Sequence, residues 1–210
     1  MNTNPYQVVR DFEGALCEYT GAPYAVTVNS CTMALLLATK WNLLDASDRP
    51  EIEIPARTYV SVPMSILHAG GRPVFRDDDW SGYYQLEPLP VFDSARFFTS
   101  GMFQAIALRH QCRPMVCVSF HASKVLGDTQ GGAILHDHAE ADRWLRRMRF
   151  DGRSEGVTPS EDVFRDLGYH CYMSPDVAAR LMLRLHSLPM HNPALPNDDY
   201  PDLSAMEIFK

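Results

Sequence analysis

The chain is short of the features that would assign it to a membrane, to an export route or to nucleic acid. Its five cysteines, Cys17, Cys31, Cys112, Cys117 and Cys171, are odd in number and contain no CxxC pair. That excludes a disulfide framework and the usual thiolate metal sites, and it reads as a set of reduced thiols in a cytoplasmic protein. His136 and His138 find no third partner at metal-ligand spacing, so no metal is expected. No apolar run approaches bilayer-spanning length, and the first residues, Met-Asn-Thr-Asn-Pro, lack the basic and apolar segments of a leader peptide. There is no internal repeat and no low-complexity tract. Positive charge is scarce as well. The net charge is −7, and the nearest thing to a basic block, Arg143 to Arg149, reads as one face of a helix with Trp144, Leu145 and Met148 opposite. Electrostatics therefore argue against nucleic acid and favour a small-molecule partner.

What is present is an alternation of helix-period and strand-period segments. Val8, Val9, Phe12, Leu16 and Tyr19 recur at helical spacing within residues 5–20, and Gly21 ends the helix. Strands are expected at 24–28, 52–54, 72–75, 89–92, 115–120 and 133–135. Helices are expected at 32–41, 58–69 (broken or bent at Pro63), 138–149 and 175–188. Residues 81–88 and 150–169 read as irregular, and 189–210, with several prolines, as a loosely attached tail. The alternation predicts an α/β fold: a mostly parallel sheet with helices on both faces.

In such sheets, functional atoms gather at the carboxyl ends of the strands. Four ends here carry reactive or hydrogen-bonding residues: "VNSCTMAL" with Ser30, Cys31 and Thr32; "IPARTYVS" with Thr58 and Tyr59; "VFDSA" with Asp93; and "VSFHASKVLGDTQGGAIL" with Ser119 and Lys124. Hydroxyls at a helix start suit a phosphate. A lysine in a polar loop between two apolar runs, with an aspartate on another strand end, matches what pyridoxal phosphate requires. Each residue also has an ordinary reading: Lys124 as a surface lysine, Asp93 as a turn residue, Ser30 and Thr32 as helix caps, Tyr59 as core, His121 as a satisfied polar group, and residues 77–79 as a solvated acidic loop.

With these segments in this order, residues 7–188 resemble the DegT/DnrJ/StrS-type aminotransferases, enzymes of the aspartate-aminotransferase fold (fold type I) that aminate nucleotide-linked keto-sugars. The resemblance rests on "FEGALCEYTGAPYAVTVNSCTMALLLA", "EIPARTYVSVPMSILHAGGRPVFRDDD", "VFDSARFF", "VSFHASKVLGDTQGGAIL" and "GYHCYMSPDVAARLMLRL". It implies pyridoxal 5'-phosphate as cofactor, Lys124 as the Schiff-base lysine and general base, and Asp93 facing the pyridine nitrogen with Ala95 beside it. Ser30, Thr32 and Ser119 would hold the phosphate, and Tyr59 would stack on the ring. Cys31 stands where a glycine is usual, and His121 borders the site. His170 takes the place of an asparagine that reaches into the neighbouring subunit's site, and Tyr172 that of a common arginine. The resemblance further implies a homodimer with the site at its interface.

The chain departs from the family in length. It reads as a large domain over 1–188, with one βα unit deleted near 79–89, and a proline-rich tail over 189–210 without a complete small domain. The site should then be open or closed by a partner, and the apolar face of helix 175–188 should be uncovered. Three activities stay open on these residues: an aminotransferase acting on a keto-sugar nucleotide or similar keto compound, a decarboxylase or lyase on an amino-acid group, and a degenerate homologue serving as partner subunit.

Overall fold

Strand β6 (Met115–Ser119) shows how the fold is built. Its side chains alternate in direction, as a pleated strand requires. Val116 and Val118 join one buried cluster and Met115 and Cys117 another, on the opposite face. The computed structural model describes residues 4, 6–197 and 200–209. Five strands form one sheet in the order β1 (Tyr24–Val28), β7 (Gly132–His136), β6, β5 (Val91–Asp93), β4 (Tyr84–Gln85). Strands β2 (Glu51–Pro55) and β3 (Arg72–Arg76) pair separately and in parallel, and the bridge Glu53–Glu87 ties β2 to the segment after β4.

The sheet is mixed rather than mostly parallel in its pairing. β7 runs antiparallel to both β1 and β6, and β4 runs antiparallel to β5, whereas β5 and β6 are parallel. Following these pairings, β1, β2, β3, β5 and β6 all point the same way. Their carboxyl ends therefore share one edge, and the antiparallel strands β4 and β7 lie between them without disturbing it.

Helices α1 (Gln7–Thr20), α4 (Met102–His110) and α6 (Pro175–Ser187) pack on one face, through Phe12, Met102, Ile106, Leu181 and their neighbours. Helices α2 (Cys31–Asn42), α3 (Ser61–Ala69) and α5 (Ala139–Met148) cover the other. α6 does not leave its apolar face open: Val177, Ala178, Leu181 and Leu185 are buried in the cluster shared with α1, and only Leu183 projects. α4 is a helix the sequence reading leaves out. It starts on Gly101 in the left-handed region, with no hydroxyl or carboxamide cap. Parallel pairing of β5 with β6 nonetheless demands a crossover there.

Two smaller differences have local causes. α3 begins at Ser61 rather than at 58, so Pro63 falls in its first turn, where a missing N–H costs no helical bond. The segment after α6 is docked rather than loose, with Asn192 and Leu203 buried. Among the described residues no helix is long and apolar enough to cross a membrane, and no group of three His, Cys, Asp or Glu side chains could hold a metal ion.

Candidate active site

The shared strand edge opens into a cavity of about 400 Å³. Ten of the twelve residues singled out from sequence line it: Ser30, Cys31, Thr32, Thr58, Tyr59, Asp93, Ala95, Ser119, His121 and Lys124. They come from four separate strand ends and the loop after β6. His170 stands apart. Its exposed ring bonds Asp151 at 2.9 Å and lies edge-on to Tyr172, and it lines an adjoining cleft of about 190 Å³ with Gln130 and Gly131. Those two residues also line the main cavity.

Ser30 is extended and caps α2, its Oγ accepting from the Met33 N–H at 3.2 Å. The first residues of α2, Cys31 and Thr32, line the cavity, so the positive end of the helix dipole lies at this corner. Thr32 donates its hydroxyl to Ser61 Oγ at 2.9 Å, so α3 adds a third hydroxyl to this corner. The Gly-Gly pair explains how the corner closes. A Cβ on Gly132 would lie 2.6 Å from the Cys31 nitrogen and 2.6 Å from the Ser30 carbonyl carbon, both backbone atoms, so only glycine lets β7 pass behind the loop. Burial pushes the Cys31 thiol well up, which keeps it protonated and inert at neutral pH.

Asp93 ends β5 and is buried. One carboxyl oxygen accepts the Ala95 N–H at 2.9 Å and the other accepts the Tyr84 hydroxyl at 3.0 Å. Tyr84 is held in turn by Thr58 Oγ1 at 2.6 Å. Burial raises the Asp93 pKa, while the Ala95 amide, the Tyr84 hydroxyl and the Lys124 ammonium oppose the rise. Tyr84 is the partner that sequence reasoning misses: it sits on a two-residue strand inside a stretch that reads as irregular. Arg96, also buried and lining the cavity, is missed as well.

Lys124 is half-buried in a tight loop, where its backbone N–H bonds the His121 carbonyl at 2.9 Å. α6 fastens this loop. Arg180 grips the buried Asp128 carboxylate at 2.9 and 3.0 Å, and Arg184 donates to the Gly127 carbonyl at 2.5 Å. The Arg180 guanidinium holds the Asp128 pKa down at about 2. A depressed carboxyl contributes stability above its unfolded value, 3.8 here, and loses it as pH falls toward 2. Arg180→Leu is therefore expected to lower stability at pH 7 and to flatten the acid limb between pH 4 and 2, read by chemical unfolding across that range.

Residues 1–91 match the DegT/DnrJ/EryC1/StrS aminotransferase family. A stretch of 71 residues is 41% identical to the spore coat polysaccharide biosynthesis protein SpsC of Bacillus subtilis (strain 168), covering 34% of this chain and 18% of that protein. Over 211 aligned positions the chain is 24% identical to the UDP-4-amino-4,6-dideoxy-N-acetyl-beta-L-altrosamine transaminase of Campylobacter jejuni, covering 82% of this chain and 54% of that one. The fold is that of the Helicobacter pylori aminotransferase PseC, involved in the biosynthesis of pseudoaminic acid: the TM-score is 0.67 at 19% identity, over 90% of this chain and 64% of that one. The chain thus spans about half the length of the Campylobacter relative.

Proposed function

We propose that this chain binds pyridoxal 5'-phosphate in the cavity at the strand edge and transfers an amino group to a keto-sugar nucleotide. One observation carries the reading: an amine, Lys124, and a buried carboxylate, Asp93, line a single cavity whose third side is a helix start edged with hydroxyls. The donor set fits the cofactor. The amides of Cys31 and Thr32 with the hydroxyls of Ser30, Thr32 and Ser119 would hold its phosphate. Among the described residues each Asp93 oxygen accepts one hydrogen bond, from Ala95 or from Tyr84, which leaves a lone pair for a ring N–H. Tyr59 offers a ring face, with Ala95 beside the carboxylate. When bound, the cofactor supplies an aldehyde that captures amines and a ring that draws electrons from the adjoining carbon.

The chain's own residues then do three things. Asp93 and Tyr84 fix negative charge at one end of the cavity, against the positive helix start at the other, so a dipolar ligand has one orientation. The Lys124 amine is placed to accept a proton from the substrate carbon and return it nearby, general base and acid in turn. The lysine loop stays in place because Asp128 and Gly127 are tied to α6. The nucleotide-linked amino-sugar in the Campylobacter relative's name supports the acceptor class.

The same reading takes the protein as a cytoplasmic homodimer. The five cysteines are unpaired in the fold, as cytoplasmic thiols are. His170 lies on the outer surface, beside the cleft that continues from the cavity, where it would reach a second copy's site. The test supplies cofactor, a panel of amino-acid donors and nucleotide-linked keto-sugars to the purified protein and follows keto-acid and amino-sugar by mass spectrometry. Amino-sugar formation is expected. Release of carbon dioxide without amine transfer, or no turnover while cofactor is bound, would overturn the assignment.

A further inference from the structure

The segment after α6 is anchored at both of its ends to the body of the domain and, between them, to the cavity-lining residues Arg96 and Trp80. Met190 accepts the Ser100 N–H at 3.0 Å. Asn192 is buried, with its backbone N–H on Thr99 Oγ1 at 3.0 Å and its side-chain amide on the Tyr19 hydroxyl at 2.8 Å. Leu195 donates to the carbonyl of Arg96 at 2.8 Å, while the Arg96 guanidinium bonds the Pro196 carbonyl. Arg96 lies three residues beyond Asp93, so the segment is fastened to the cavity's own wall. Asn197 then bonds the Trp80 carbonyl at 2.5 Å. Further on, Leu203 is 1% exposed and its N–H meets the Ala56 carbonyl at 3.0 Å, and Phe209 packs on Phe75.

Tyr200 sits between these two anchored stretches and lines the cavity. Its ring lies nearly parallel to that of Trp80, with centroids 6.3 Å apart and planes 17° apart. Trp80 is held by its indole N–H on the Arg57 carbonyl at 2.9 Å and packs edge-on against Tyr84, the residue bonded to Asp93. An aromatic wall therefore runs from the buried carboxylate out to the segment. Ser30, Thr32, Ser119 and Lys124 line the same cavity and supply polar groups to it.

We infer that residues 189–197 and 200–209 form a strap that is an integral outer wall of this cavity, and that Tyr200, stacked on Trp80, is a ligand-contacting residue. Strap docking and cavity occupancy then stabilise one another, because a ligand touching Tyr200 adds to its affinity only when the strap is docked. The strap covers a side that the sequence leaves open. The inference rests on the proposed cofactor site for its ligand but not for its geometry, and the test separates the two.

In the ligand-free protein, the rate at which trinitrobenzenesulfonate labels Lys124 reports access to the cavity. Tyr200→Ala and Leu203→Ala, the second releasing the strap's far anchor, are expected to speed labelling several-fold while Lys40 labels at an unchanged rate. In a second arm, pyridoxal phosphate is titrated by absorbance. Tyr200→Ala should weaken binding by about tenfold, the loss of one aromatic contact, and Tyr200→Phe should restore most of it. Hydrogen exchange in the strap should slow when cofactor is added to the wild type. Equal Lys124 labelling in wild type and both variants overturns the inference, whatever the cofactor does. So does wild-type affinity in Tyr200→Ala. If the wild type takes up no cofactor, the proposed function falls, and the labelling arm alone decides the strap.

Discussion

Exchanging Glu13 for alanine is expected to destabilise the domain by about 3–5 kcal/mol, the usual cost of removing one partner from a buried ion pair. Glu13 lies on α1 and is 3% exposed. It accepts the backbone N–H and the hydroxyl of Thr27 on β1, at 2.9 and 2.8 Å, and ion-pairs with Arg146 at 2.6 Å and with the buried Arg149 at 2.5 Å. Glu155 closes the set from the loop beyond, at 2.8 Å from Arg149. Alanine would leave the Arg149 guanidinium in a dry interior with half its compensation gone. The double variant Glu13→Leu with Arg149→Met should recover much of the loss, since two packed apolar chains need no charge balance. Chemical unfolding of the wild type, Glu13→Ala and the double variant measures both effects. A Glu13→Ala cost below about 1 kcal/mol, the range of exposed pairs, would show the network to be solvated. The effect bears on function because β1 ends in the Ser30 corner, and Arg149 also holds the Thr27 carbonyl, at 2.7 Å.

The second large effect is on activity. Asp93→Asn keeps the shape of the side chain and removes its charge. Amine transfer should fall by about 10²–10³, the scale seen when one fixed electrostatic partner is taken from a site. Stability should move the other way. Burial raises the Asp93 pKa in the folded state, so the ionised group opposes folding above that pKa, and the opposition fades as pH falls through it. At pH 7 the ligand-free Asn variant is therefore expected to melt at or above the wild-type temperature while being nearly inactive. Such a residue is kept for its chemistry at some cost to the fold. A variant that is both inactive and much less stable would mean that Asp93 serves the core instead.

These two residues mark what a sequence can and cannot disclose. Asp93 is legible because it ends an apolar run and shares that placement with Ser30, Thr58 and Ser119, and strand ends in such folds converge. Lys124 is legible for the same reason, helped by the glycines that follow it. Glu13 is not. It occupies a helix whose other face reads as solvent-exposed, and its partners lie far along the chain. The run from Arg143 to Arg149 looks like a solvated face for the matching reason, yet two of its arginines turn inward to meet Glu13. Charge pairing across such distances leaves no local trace. Tyr84 escapes because a two-residue strand is too short for a period to register, and α4 because its left-handed Gly101 start carries no cap signal. Tyr200 escapes because a proline-rich segment reads as unattached unless its anchors, here Thr99, Arg96 and Ala56, are known to be near.

The most direct test of the account uses the scarcity of lysine: the chain has three, Lys40, Lys124 and Lys210. The protein is equilibrated with pyridoxal phosphate, reduced with borohydride to fix the cofactor to whichever amine has captured it, digested and mapped by mass spectrometry. The added mass is expected on the Lys124 peptide, with an absorbance band at about 400–430 nm beforehand that Lys124→Ala abolishes. Mass on Lys40 or Lys210 alone, or on no lysine at all, would contradict it.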